Sequence, residues 1–95
     1  MIRRENNMKT YPIMHYKKGG SDLFVNGGKL TISEKEYAVH YLFKEVARFS
    51  AAETTVTKAS WQMLYDGIKL TDGKASIELY FAKETAEELW ELFKL

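Results

Sequence analysis

The chain contains no cysteine, which excludes a disulfide framework and any thiolate metal site, the usual staples of small secreted domains. A reducing compartment suits that composition, and the cytoplasm is the expected location. No apolar run approaches the roughly 18 to 20 residues of a membrane span, and the polar start, Met1-Ile2-Arg3-Arg4-Glu5-Asn6-Asn7, lacks the apolar core of a secretion signal. Proline occurs once and histidine twice. No serine sits in a Gly-x-Ser-x-Gly elbow and no second histidine stands four residues from the first, so neither a nucleophilic nor a zinc-dependent hydrolase is indicated.

What is present is a core. Ninety-five residues suit one domain, and 45% hydrophobic residues with thirteen aromatics argue against disorder. The net charge of +1 is unevenly spread: residues 1–32 carry six basic against two acidic groups, and residues 53–95 carry five against eight. Such a molecule can orient against a charged partner, but it lacks the dense acidic surface of a DNA mimic.

Ser33-Glu34-Lys35-Glu36 has the form of a capping box, with Ile32 and Tyr37 at the staple positions. Val39, Leu42, Phe43, Val46 and Phe49 follow at helical spacing, which predicts a helix from about 34 to 49. Thr85-Ala86-Glu87-Glu88 repeats the pattern and predicts a second helix from near Thr85 to the C-terminus, with Ala86, Leu89, Trp90 and Phe93 as its apolar stripe and Glu84, Glu87, Glu88 and Glu91 outside.

Between them Ala75, Ile77, Leu79 and Phe81 alternate with polar residues after Asp72-Gly73, the signature of a strand entered through a tight hairpin turn. Upstream, Ile68 and Leu70 differ in parity from Trp61, Met63 and Tyr65. A bulge or a second turn at Asp66-Gly67 would return all of them to one face. Lys9 to Lys17 reads as a strand, placed at an edge by Pro12. Asp22–Val25 and Lys29–Ile32 flank Asn26-Gly27-Gly28 as a small hairpin, Lys18-Gly19-Gly20-Ser21 is a flexible connection, and residues 1–8 form a loose tail before a single domain over 9–95.

The expected fold is therefore α+β: a two-layer sandwich in which two amphipathic helices pack on one face of a mainly antiparallel sheet of four to five strands, in the order β-β-β-α-β-β-(β)-α. The part from residue 33 on is similar in topology to the double-stranded RNA-binding domain, but its last helix opens Lys83-Glu84-Thr85-Ala86-Glu87-Glu88, a surface that repels phosphate.

Glu36 and His40 read as an exposed helical pair, and the glycine-rich turns match no phosphate-binding spacing, so no metal, cofactor or enzymatic activity is implied. The leading functional expectation is a small non-enzymatic protein-binding module: an inhibitor, adaptor or assembly factor of the kind that phages and mobile elements direct at host machinery. Its candidate contacts are Tyr37 and Tyr41, one helical turn apart, with His40 and Lys44 beside them. Pro12 and Lys17 mark an edge strand on which a second copy of the chain could pair. The alternative is nucleic-acid binding through the basic and aromatic segment of Lys9, Tyr11, Tyr16, Lys17 and Lys18.

Overall fold

The structure, a computed structural model, describes residues 8–18 and 21–95, with the backbone alone for residues 21–26. Among these, seven strands precede one helix: β1 Lys9–Lys18, β2 Ser21–Ile32, β3 Glu36–Tyr41, β4 Lys44–Ser50, β5 Thr55–Trp61, β6 Tyr65–Thr71, β7 Ser76–Phe81 and α1 Lys83–Phe93, with a 3-10 turn, Ala51–Glu53, joining β4 to β5. All neighbours are antiparallel in the order β4-β3-β2-β1-β7-β6-β5. The sheet curls into a half-barrel whose concave side holds Ile13, Leu30, Val39, Phe49, Ile68, Leu70, Ile77, Leu79 and Phe81, and α1 closes it with Ala86 and Leu89. The expected tail lies, up to residue 7, outside the described residues, as do Gly19 and Gly20.

The sandwich with two helices is thus corrected to one curled sheet with a single helix. The predicted helix over 34–49 is the β3–β4 hairpin. Its helical periodicity arises from mixing two inward residues, Val39 and Phe49, with two at the hairpin tip, Leu42 and Phe43, and one at a bulge, Val46. Tyr37, Val39, Tyr41, Ala47 and Phe49 alternate inward as strands require, with Val46 also reaching the core at the bulge, and pairing of Leu30 with Val39 decides the conformation. The capping interaction itself forms: the Glu36 amide donates to Ser33 Oγ at 3.2 Å. Here it closes the β2–β3 turn, where the Ser33 amide donates to the Glu36 carbonyl at 3.0 Å, and the Glu36 carboxylate goes to Arg48 instead. A serine oxygen satisfies an amide three residues on equally well in a turn and at a helix start. The likeness to the double-stranded RNA-binding domain falls with that helix.

The small hairpin expected at residues 22–32 is corrected as well. Those residues form the single strand β2, interrupted where Ile13 pairs with Gly28 and His15 with Phe24, so that the chain bulges at Gly27, whose φ is +123°. Nor is β1 an edge. Residues Lys9 to Ile13 pair with β2, whereas pairing with β7 begins only at His15, so Pro12 lies where the β7 side of β1 is open. The rule that proline needs an unpaired flank holds locally; the stagger of the strands lets a central strand obey it. The sheet's edges are β4 and β5.

At Asp66-Gly67 neither a bulge nor a turn occurs. β6 runs straight through, and the hairpin lies earlier, at Gln62 and Met63 with φ of +52° and +57°. Trp61 and Tyr65 therefore face outward with Tyr80, while Ile68 and Leu70 face in. The parity change is real: both faces of this strand are covered by side chains.

The chain does turn at Asp72-Gly73, with Gly73 at φ +90°, but Thr71 pairs with Ser76, so the connection runs over residues 72–75 instead of the two residues expected; Asp72 Oδ1 accepts from the amides of Lys74 and Ala75 at 2.9 Å each. Those bonds hold its carboxyl below the ordinary value. Because the folded pKa is depressed, the carboxylate stabilises the fold above the unfolded pKa and loses that contribution as pH falls through the folded one. Asp72→Ala should be less stable than the parent at neutral pH, and in urea denaturation the difference should shrink as the pH is lowered through the depressed pKa of the folded state. An undiminished difference in acid would show that charge plays no part.

The C-terminal helix begins at Lys83, two residues before Thr85, because β7 ends at Phe81 and the chain turns at Ala82. Its stripe is as predicted: Ala86 and Leu89 are buried, and Trp90 and Phe93 pack on the core. Trp90 Nε1 donates to the Gly67 carbonyl at 2.8 Å, and Lys58 Nζ lies 4.5 Å from the centre of the same indole. No helix among the described residues is long and apolar enough to cross a membrane.

Candidate functional site

The four residues singled out for protein binding all lie on the β3–β4 hairpin, but on two faces. Tyr37 and Tyr41 share the concave side. Tyr37 meets Phe93 edge-on at 5.5 Å between ring centres, and burial raises its pKa. His40 faces outward opposite Glu45, and Lys44 is exposed opposite Tyr41 beside the tip. The helical geometry that would have gathered them into one patch is absent.

Instead the hairpin gathers Leu42 and Phe43 at its end. Phe43 is fully exposed and Leu42 is 64% exposed, the latter in the left-handed region at φ +57°. The β5–β6 hairpin repeats the arrangement, with Met63 at 98% and Leu64 at 73% exposure and two left-handed non-glycine residues. A left-handed non-glycine residue costs roughly 1 to 2 kcal/mol, and an apolar side chain in water adds no stability there. Glycine or asparagine would serve the turn better, so folding alone does not account for either tip.

On the convex face Arg48 is held between two carboxylates. It pairs with Glu36, and its Nε and Nη2 donate to Glu45 Oε1 at 3.0 and 2.6 Å. The Arg48 bonds pull the Glu45 pKa down, and His40 Nε2 stands 3.8 Å from the same oxygen. These groups rim a shallow trough of about 270 Å³ floored by Ala38 and walled by Met8, Thr10 and Thr31. Its charges are already paired with each other. No group of three or more His, Asp or Glu side chains converges as a metal site among the described residues.

The residues proposed for nucleic acid separate. Tyr11 and Tyr16 are buried, so their faces are not available for stacking on bases, while Lys9 and Lys18 are exposed and Lys17 half-buried. Lys18 Nζ donates to the Val46 carbonyl at 2.9 Å and thereby ties β1 to β4.

Sequence reading missed the convex aromatic cluster and both hairpin tips. His15 stands edge-on to Trp61 and Tyr65 at 5.3 and 4.3 Å, and Trp61 lies against Tyr65 and Tyr80. The parity change at Asp66-Gly67 was its signal. Leu42 and Met63 carried none, since turns at positive φ are announced by glycine, asparagine or aspartate. No family model matches the chain, and searches of curated proteins and of solved structures find no similar protein.

Proposed function

We propose that this chain is a small protein-binding domain of the cytoplasm that grips its partner with the tip of the β3–β4 hairpin. The observation that supports this reading is the pair Leu42 and Phe43: two large apolar side chains held in water at a turn that strains the first of them. Aromatic anchors entering a pocket of the partner supply much of the energy in protein interfaces, and full burial of a Phe side chain is worth about 1.5 to 3 kcal/mol. Lys44 follows at the base of the tip, and Tyr41 supports it from the concave side. β4, an open edge of the sheet, runs away from the tip and offers backbone groups for strand pairing with a partner or a second copy. An inhibitor, adaptor or assembly factor would work in this way, by occupying a surface rather than by chemistry.

Phe43→Asp is the decisive variant. Its stability should stay within about 0.5 kcal/mol of the parent, because an exposed tip contributes little to folding. Capture of a stoichiometric protein from nuclease-treated extract of the native host at moderate salt should be lost. Retained capture by Phe43→Asp would refute the assignment of the tip, and material released by nuclease would replace the protein partner with a nucleic acid. Removing Tyr37 and Tyr41 is less informative, since both pack on the core.

A further inference from the structure

The sheet has two edges, and the fold treats them differently. β4 pairs with β3 through a break, since Val46 is skipped between Glu45 and Ala47, and the Val46 carbonyl accepts from Lys18 Nζ. A bulge and a lysine at the edge are devices that keep a strand from adding to another chain. β4 therefore retains only the short stretch beside the hairpin tip. β5 pairs with β6 without interruption from Thr55 to Trp61, holds no proline or glycine, and among the described residues has no strand on its outer flank. Thr55, Thr57 and Ser60 along it are exposed, as are Met63 and Leu64 at the turn beyond.

The one device against pairing on β5 is Lys58, and it also selects what can pair there. Lys58 stands opposite the buried Ile68, so it points to the concave side, where its ammonium lies over Trp90. A second copy of β5 brought up antiparallel about a two-fold axis aligns residues of the same face. Centred on Lys58, such a pairing sets two ammonium groups opposite each other and is disfavoured. Centred one residue on, at Ala59, it sets Lys58 opposite Ser60 of the second copy and Trp61 opposite Thr57 of the second copy. Aromatic against β-branched is a favourable cross-strand pair, and Ala59 on the axis is the smallest outward side chain of the strand. Each contact occurs twice, so the edge is complementary to itself, as an isologous interface requires.

We infer that β5 pairs antiparallel with β5 of a second copy about Ala59, making one sheet across a two-fold dimer. The β5–β6 turn then overhangs the Thr55 end of the second copy's strand and takes Met63 and Leu64 out of water. From β3 to β5 the order β3-β2-β1-β7-β6-β5 makes five antiparallel steps, so the two strands run in opposite directions and their hairpin tips lie at opposite ends of the sheet. Pairing through β5 leaves Phe43 clear, and the dimer carries that tip twice. Two tips on one body strengthen attachment to a partner that displays its pocket repeatedly. The pairing itself does not rest on the role given to the tip.

Sedimentation equilibrium of the full chain over a concentration series is the test. A strand pair of this length is a small interface, so a Kd on the order of 100 μM is expected, with the mass rising to that of two chains and no further. Position 60 decides the register by sign. Ser60→Lys faces Lys58 of the second copy twice per dimer and should weaken association about tenfold, whereas Ser60→Glu meets it with the opposite charge and should tighten association about fivefold. Ser60 is exposed, and urea denaturation followed by circular dichroism checks that both variants fold. Phe43→Asp should dimerise like the parent, so loss of a captured partner in that variant leaves this result untouched. A dimer lost in Phe43→Asp would place the interface at the tip instead. A single-chain mass up to about 1 mM, growth past two chains, or like effects of Ser60→Lys and Ser60→Glu would equally overturn the pairing.

Discussion

Gly67→Ala should abolish the folded state, or leave so little of it that urea denaturation monitored by circular dichroism shows no native baseline. An ideal Cβ at this position would lie 1.7 Å from the Leu79 carbonyl oxygen, 2.7 Å from the Leu79 carbonyl carbon and 2.9 Å from Tyr80 Cα. All three are backbone atoms of β7, so no rotamer change relieves the clash. β7 cannot retreat, because it is hydrogen-bonded on its other flank to β1 and its Leu79 is fully buried. Interiors packed to crystal density transmit such a displacement rather than absorb it. A loss above about 4 kcal/mol is expected, against a total of roughly 5 to 15 for a domain of this kind. Near-parent stability of Gly67→Ala would mean that β6 and β7 do not approach so closely.

The second large effect is expected at Trp90, which docks the helix at the same place. Trp90→Ala removes an indole packed on the core, its hydrogen bond to the Gly67 carbonyl and the contact of Lys58 with its face. Large aromatic truncations cost about 3 to 5 kcal/mol when buried; with Trp90 half-buried the lower end applies. Trp90→Phe keeps most of the apolar contact and should cost about 1 to 2 kcal/mol, chiefly for the lost hydrogen bond. The measurement is chemical denaturation followed by the fluorescence of Trp61, which reports from β5 rather than from the helix. If helix and sheet share one core, the Trp61 transition shifts with the helix variant and stays a single step. An unmoved midpoint would show instead that α1 undocks without disturbing the sheet.

The acidic face of α1 and the place of Tyr11 beneath it differ in how far the sequence shows them. The acidic face of α1 was visible as Glu84, Glu87, Glu88 and Glu91 around a stripe of Ala86, Leu89, Trp90 and Phe93, because a helix sets its faces by spacing alone. That Tyr11 would lie beneath that face was not visible, since β1 and α1 are separated by most of the chain. The sequence places Tyr11 first as a core residue and only second as part of a basic aromatic strand. Burial makes it a core residue whose hydroxyl lies beside Glu88.

Local chemistry alone determined the turn at Asp72-Gly73, the alternation of Ile77, Leu79 and Phe81, the strand over Lys9–Lys18 and the apolar stripe of the last helix. Each of these follows from backbone preference and period within a dozen residues. Tertiary structure decided what Glu36 to Ser50 became, because its apolar positions satisfy a helical period and a strand period together and only the neighbouring strand β2 breaks the tie. The same kind of choice put Pro12 in a central strand through the stagger of β2 and β7, and turned Trp61 and Tyr65 to the outer face. Backbone pairing between distant segments is the common reason: a strand acquires its faces and its edge from the partners beside it, which residues near in sequence do not specify.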